Sequence, residues 1–150
     1  MIRRGRSYVG GEAEGIALVL DAPLSFWGGV EAETGRIIDA SHPQCGASVA
    51  GRILVMPGAR GSSSSSSVLA EAIRLGTAPR GIVLASSDPI LTVGALVARS
   101  LYRLSCPIIV CPIEGVVTGA KLRIVCAEGS GEAQLVRVHP ETSPVETQVR

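Results

Sequence analysis

The sequence predicts an α/β fold with a central βαβαβ parallel core and additional strands at both ends. Three continuous apolar segments, RILVMP at 52–57, GIVLAS at 81–86 and CPIIVCP at 106–112, have strand length and lack the alternation of a half-exposed strand. Two segments with helical periodicity separate them. Strands and helices that alternate in this way form a parallel sheet that is covered on both faces.

The residues before this core predict short strands and loops. The segment SYVGGEAEGIALVL, 7–20, indicates two short strands around a glycine-rich turn. Asp21 to Pro43 is interrupted too often by proline and glycine for a long helix, so we expect a loop with one short strand around Ile37 and Ile38.

Phe26 and Trp27 are the only Phe and the only Trp of the chain. Neighbours in an extended segment point in opposite directions, so one ring can enter the core while the other faces out. The outward ring is either a substrate- or partner-facing aromatic or an ordinary anchor of the loop.

The two helices have recognisable ends. SSVLAEAIRLG predicts the first helix, with Arg74 in its last turn and Gly76 as its C-cap. SDPILTVGALVARSLYRL predicts the second, with Ser87 or Asp88 as N-cap and Pro89 at the first position. VVTGAKLRIVCAEGSGEAQLVRV indicates two further strands, and we expect residues 140–150 to form a flexible tail.

Composition limits the class of protein. A chain of 150 residues with 46% hydrophobic residues suits a single globular domain, 1–150. A net charge of +1 and 3% aromatic residues give no signature of nucleic-acid binding. The basic start is not followed by an apolar signal region, and no apolar run has the ~18 residues of a membrane span, so we expect a cytoplasmic protein.

The chain has four cysteines, Cys45, Cys106, Cys111 and Cys126, and apolar neighbours such as PIIV and RIV adjoin the last three. This pattern predicts buried, reduced thiols rather than disulfides. No second cysteine pair or histidine pair accompanies Cys106 and Cys111, so we expect no metal bound by this chain alone.

The segment GARGSSSSSSVLAEAIRLGTAP, Gly58 to Pro79, carries the strongest signal for a site. Small residues before a helix start leave backbone amides uncovered, which suits an anion. The alternative is a flexible serine-rich linker. Position disfavours the linker, because the serines lie between a strand and a helix of one core.

Asp39 and His42 are close enough in sequence to interact through a turn, and His139 is the only other histidine. Such a pair is either a catalytic acid and base or, more commonly, a turn cap made by side-chain hydrogen bonds to the backbone.

Three strings in order, GGEAEGIALVLDAPLSFWGGVEAETGRIIDASHP, GRILVMPGARGSSSSSSVLAEAIRLGTAP and DPILTVGALVARSLY, resemble the swivelling small domain of the aconitase X enzymes. The resemblance covers Tyr8 to about Cys111. It implies a swivelling β/β/α fold that closes over a larger catalytic part, here a separate large subunit in a heterodimer or higher assembly. It also implies that the large subunit holds an iron–sulfur cluster through its own cysteines.

The activities that this resemblance implies are dehydrations of a small hydroxy acid or imino acid. One is conversion of cis-3-hydroxy-L-proline to a pyrroline carboxylate, which the LSFWGG string and the unbroken serine run favour. The other is dehydration of phosphomevalonate. A non-enzymatic alternative is a stand-alone anion-binding or regulatory module that uses the same loop.

The resemblance implies that Ser62, the first serine after the Arg-Gly step, is the proton acceptor. A serine base needs a stabilised alkoxide, and the amides of Gly61 and Ser63 at a helix start would contribute to this. Arg60 either helps to stabilise that alkoxide, binds a substrate carboxylate or forms a surface salt bridge. The family commonly has glycine where this chain has Ala59, so the loop shape at that position is open.

Overall fold

Seven strands of the chain close into a barrel, and two helices pack against one side of its outer surface. The computed structural model describes residues 1–127 and 129–139. Their elements are β1 (Ile2–Val9), β2 (Ala13–Val19), β3 (Val30–Glu31), β4 (Arg36–Ile37), β5 (Ile53–Met56), α1 (Ser65–Leu75), β6 (Gly81–Leu84), α2 (Pro89–Tyr102), β7 (Ile108–Val110), β8 (Lys121–Cys126) and β9 (Glu132–Arg137).

The strand order around the barrel is β1-β7-β6-β5-β2-β8-β9, and β1 pairs with β9 to close it. β5 pairs in parallel with β6, and β6 in parallel with β7, so the predicted β5-α1-β6-α2-β7 order is present. It does not form a separate central core, because β2 extends the parallel wall and the antiparallel strands β1, β8 and β9 complete a closed mixed barrel. Closure depends on pairing between distant strands, which apolar periodicity does not report.

The continuous apolar runs are explained by burial on both faces of the barrel wall. In β5, Ile53 and Val55 point into the barrel interior, whereas Leu54 and Met56 pack under the helices. β6 follows the same alternation, with Val83 inside and Ile82 and Leu84 under the helices. The molecule thus has two hydrophobic cores that share one wall.

The C-cap predicted for α1 and the N-cap predicted for α2 are both present, whereas α2 ends at Tyr102, two residues before the end of the predicted segment. Gly76 is the C-cap of α1 at φ 79°, and its N–H donates to Ala72 O and Ile73 O. Asp88 caps α2, where its carboxylate accepts hydrogen bonds from the N–H groups of Ile90 and Leu91 at 2.8 and 2.9 Å. The helices touch closely at Gly94, where an added Cβ would lie 3.0 Å from Ser66 Cα.

Three local predictions need correction. β1 begins at Ile2, inside the basic segment, rather than near residue 7. The single strand predicted around Ile37 and Ile38 is a small hairpin of β3 and β4, because Gly35 turns the chain at φ 75°, and Ile38 is exposed. Cys106 and Cys111 are buried as predicted, but Cys45 is exposed in the turns after β4, and Cys126, the last residue of β8, is half-buried.

The predicted flexible tail, 140–150, lies outside the described residues. Within the described part of the chain, neither helix has the length and apolar character needed to cross a membrane.

Candidate active site

Three loop segments meet beyond the carboxyl ends of the parallel strands, where ligands bind in many α/β proteins. The first follows β2, the second follows β4, and the third follows β5 and leads into α1. A parallel bridge between Leu24 and Ala59 joins the first to the third, and the Arg60 N–H donates to Leu24 O at 3.4 Å. The candidate residues therefore lie on loops that a rigid barrel holds together.

The serine loop, residues 60–64, leads directly into α1. Ser62 is exposed, and its Oγ accepts a hydrogen bond from the Ser64 N–H at 3.1 Å. The Ser62 carbonyl accepts from the Ser65 N–H at 3.0 Å, which forms the first turn before the helix. Among the described residues, the donor to Ser62 Oγ is the amide of Ser64 rather than that of Gly61 or Ser63. Ser62 thus lies at the positive end of the α1 dipole with one amide aimed at its oxygen.

Ala59 does not disturb this loop. Positive φ is confined to Arg103 among the non-glycine residues that the structure describes, so Ala59 has an ordinary backbone conformation. The left-handed position is Gly61, at φ 103°.

Ser65 and the aromatic pair connect the first loop segment to α1. Ser65 is buried, and its Oγ accepts a hydrogen bond from the Trp27 N–H at 3.0 Å. Phe26 is fully buried whereas Trp27 is 58% exposed, so the prediction that the two rings point in opposite directions is confirmed. The run of serines therefore includes one anchoring residue, and the indole is available to a substrate or partner.

Asp39 lies beside Arg60. Its Oδ2 is 4.0 Å from Arg60 Nη2, and the two side chains are 26% and 63% exposed. Asp39 Oδ1 accepts hydrogen bonds from the Ser41 N–H at 2.9 Å and the Ser41 hydroxyl at 2.7 Å. The Ser41 hydroxyl, the Ser41 amide and the nearby Arg60 charge all lower the pKa of Asp39 below its ordinary value, so the carboxylate is ionised at neutral pH.

His42 is buried and has a structural role. Its Nδ1 accepts from the Gln44 N–H at 3.0 Å, so the ring proton lies on Nε2 and is donated to Ala22 O at 3.0 Å. The Gln44 side chain also binds Asp21 through both its oxygen and its nitrogen. Of the two interpretations of the Asp39–His42 pair, the structure supports the turn cap. His139 lies after β9 and is exposed.

The structure thus brings Arg60, Gly61, Ser62 and Ser63 together on one exposed loop and adds Asp39, which the sequence did not connect to Arg60. Ser25 was also missed: its hydroxyl donates to Trp27 O at 2.8 Å beneath Gly61. No periodicity signals either contact. Within the described residues, no group of three His, Cys, Asp or Glu side chains could hold a metal, so these residues do not fit an iron–sulfur cluster of their own.

Known proteins are similar to this chain in fold and in sequence. A family model described as the aconitase X swivel domain matches residues 2–137. A chain in the crystal structure of Thermococcus kodakaraensis aconitase X (holo-form) superposes with a TM-score of 0.79 at 34% identity, covering 91% of this chain and 98% of that one.

Two curated relatives carry enzyme names. This chain is 47% identical over 103 residues to the cis-3-hydroxy-L-proline dehydratase of Pseudomonas aeruginosa, an alignment that covers 69% of this chain and 18% of that protein. It is 38% identical over 130 residues to the phosphomevalonate dehydratase small subunit of Thermococcus gammatolerans, with 86% of this chain and 95% of that one covered.

The share of each relative that is covered differs widely: the chain spans 18%, 25% and 62% of the length of three curated relatives that it matches. The family model nevertheless extends over nearly the whole described structure and over every strand of the barrel. The resemblance drawn from the sequence is confirmed: the chain belongs to the aconitase X family, and residues 2–137 are its swivel domain.

Proposed function

We propose that this chain is the small subunit of a heteromeric hydro-lyase, and that Ser62 accepts the carbon-bound proton when water is eliminated from a small hydroxy acid. The observation that carries the proposal is the position of Ser62, exposed at the start of α1 beside Arg60, in an aconitase X swivel domain. Curated relatives of this chain are named dehydratases or dehydratase small subunits.

Elimination requires that a proton move from carbon to a base while the carbon–oxygen bond to the hydroxyl breaks. A serine hydroxyl serves as that base only if its alkoxide is stabilised. The Ser64 amide already donates to Ser62 Oγ, and a donor of this kind contributes a factor of about 10²–10³ in rate where an oxyanion develops. The α1 dipole adds a smaller contribution of about 0.3–1 kcal/mol.

The exposure of the loop supports a partner. Arg60, Ser62 and Ser63 are all exposed, so bulk water would solvate an alkoxide at Ser62 and weaken its selective stabilisation. A large subunit that closes over this face would exclude that water. Bound in the large subunit, an iron–sulfur cluster would supply the Lewis acid for the departing hydroxyl.

We propose cis-3-hydroxy-L-proline as the substrate, because the Pseudomonas aeruginosa relative with 47% identity is named for its dehydration. Arg60 would bind the substrate carboxylate, with the amides of Gly61 and Ser63 nearby. The second candidate is the small subunit of phosphomevalonate dehydratase. It is favoured by the near-complete coverage, 95%, of the Thermococcus gammatolerans small subunit.

The test is to produce this chain together with the large subunit from the same source and measure dehydration of both compounds. Ser62→Ala should lower kcat by at least about a hundredfold while the complex still forms on gel filtration. Ser67→Ala is the matched control, because Ser67 is an exposed serine of the same run that lies in the first turn of α1. Normal turnover by Ser62→Ala would exclude Ser62 as the base.

The non-enzymatic alternative is tested on the isolated chain. Calorimetry with inorganic phosphate and with phosphomevalonate should show no tight binding if the site needs its partner. Binding at low micromolar Kd without any partner would favour an anion-binding module instead.

A further inference from the structure

The segment after β4 reaches the serine loop from a distant part of the sequence. Asp39 and Arg60 belong to different loops, yet Asp39 Oδ2 lies 4.0 Å from Arg60 Nη2. The motif around Asp39 and His42 has no place in the chemistry proposed for Ser62.

The two oxygens of Asp39 have different partners. Oδ1 receives both hydrogen bonds from Ser41, and Oδ2 faces Arg60. His42 fixes the turn itself, since its buried ring links Gln44 to Ala22. The position of the Asp39 carboxylate is thus set by Ser41 and the turn, and does not depend on its contact with Arg60.

This arrangement differs from an ordinary surface pair. Glu71 and Arg74 also form an ion pair, but they are three residues apart on one exposed helix face. Their two side chains are bound to each other. A fixed carboxylate instead attracts the guanidinium of Arg60, a side chain that is 63% exposed, toward one position, with Nη2 4.0 Å from Asp39 Oδ2. Since the contact involves one nitrogen at 4.0 Å, the remaining guanidinium donors are left for a ligand carboxylate.

We infer that Asp39, braced by Ser41 and His42, is a positioning residue that orients the Arg60 guanidinium toward the substrate carboxylate. The inference rests on the proposed function, in which Arg60 binds that carboxylate. Asp39 itself does not touch the substrate or the reacting atoms.

The test uses Asp39→Asn in the complex with the large subunit, assayed on whichever of the two compounds the wild type dehydrates. Asparagine keeps an oxygen acceptor for Ser41 and replaces the oxygen that faces Arg60 by an NH2 group. We expect KM to rise about tenfold while kcat changes by less than about twofold, because the lost interaction acts on binding. Glu71→Gln is the matched control and should leave both constants unchanged.

A double-mutant cycle shows whether Asp39 acts through Arg60. Arg60→Gln alone should raise KM, and adding Asp39→Asn to it should raise KM no further. If Asp39→Asn leaves KM unchanged while Arg60→Gln raises it, or if the two effects multiply, the positioning role is overturned and the role of Arg60 stands. If Arg60→Gln itself leaves KM unchanged, the assignment of Arg60 falls, and this inference falls with it.

A third variant tests the inference if Asp39→Asn destabilises the fold. If Asp39→Asn lowers the melting temperature of the chain markedly, Ser41→Ala removes one of the two donors to Asp39 and keeps the charge. We then expect Ser41→Ala to raise KM by about two- to fourfold. In the background of Arg60→Gln, Ser41→Ala should raise KM no further. An unchanged KM for Ser41→Ala in that case would overturn the inference.

Discussion

Gly61 gives the serine loop its shape in two ways. Its φ of 103° is strained for any residue with a side chain, and an added Cβ would overlap the Ser25 hydroxyl and lie 2.8 Å from Ser25 Cβ. We predict that Gly61→Ala lowers the free energy of unfolding by about 1–3 kcal/mol and slows turnover by displacing Ser62. Urea unfolding of the chain and kcat of the complex measure the two effects.

Gly119→Ala is the control for the backbone conformation alone. Gly119 has a φ of 96°, but an added Cβ there would meet nothing within 4 Å. It should therefore destabilise the chain less than Gly61→Ala and leave kcat unchanged. Equal effects on kcat would contradict a specific role of Gly61 in placing Ser62.

Burial makes the thiols of Cys106 and Cys111 less reactive than the exposed thiol of Cys45. Desolvation raises the pKa of Cys106 to about 12, and it also raises that of Cys111, whereas Cys45 is exposed. We predict that an alkylating reagent at pH 8 modifies Cys45 in the native chain and reaches Cys106 and Cys111 only after unfolding. Mass spectrometry of peptides from native and urea-treated samples reads this out.

The same pKa shift has a consequence for stability. The folded-state pKa of Cys106 lies above its ordinary value of 9.0, so the unfolded state loses its proton first as the pH rises. The contribution of the Cys106 thiol to the free energy of unfolding is therefore fully present below pH 9 and is lost between pH 9 and about 12. Alkylation of Cys106 as fast as Cys45 in the native chain would contradict both statements.

At the scale of the elements, the two helix starts differ although both begin at small polar residues. Asp88 accepts two hydrogen bonds from α2, whereas the N-cap of α1, Ser64, makes no side-chain cap hydrogen bond. We predict that Asp88→Ala lowers the free energy of unfolding by about 1 kcal/mol and that Ser64→Ala changes it by less than about 0.5 kcal/mol. Denaturant midpoints of the two variants give the comparison, and equal losses would refute it.

The helices and the parallel strands could be predicted from the sequence because their signals are local. Asp88, Pro89 and Gly76 mark helix ends, and continuous apolar runs mark strands that are buried on both faces. The serine loop is also contiguous, so Arg60 and Ser62 were found together. Asp39 and Ser25 were not connected to that loop, because their contacts join segments that only the folded barrel brings together.

At the scale of the whole molecule, closure of the barrel could not be predicted from the sequence. β1 carries arginines at positions 3, 4 and 6 and reads as a polar segment, yet it pairs with both β7 and β9. Its close approach to the end of β7 requires Gly5, where an added Cβ would overlap Val110 O and lie 2.7 Å from Cys111 Cβ. Close approach of two backbones at a glycine is visible only once the partner strand is known.

We therefore predict that Gly5→Ala weakens the closure of the barrel. The methyl group would push β1 away from the end of β7, and overpacking of this kind costs about 1–3 kcal/mol. Gly10→Ala is the matched control, because Gly10 follows β1 with an ordinary φ and nothing within 4 Å of an added Cβ, so it should be neutral or slightly stabilising. Hydrogen exchange should show lost protection in β1 and β9 of Gly5→Ala and retained protection in β5 and β6. The helices pack over β5 and β6, whereas the hydrophobic cluster beneath them includes only Val9 of β1 and no residue of β9. Uniform loss of protection across all strands would instead mean that the barrel opens as one unit and that closure at β1 is not its weakest point.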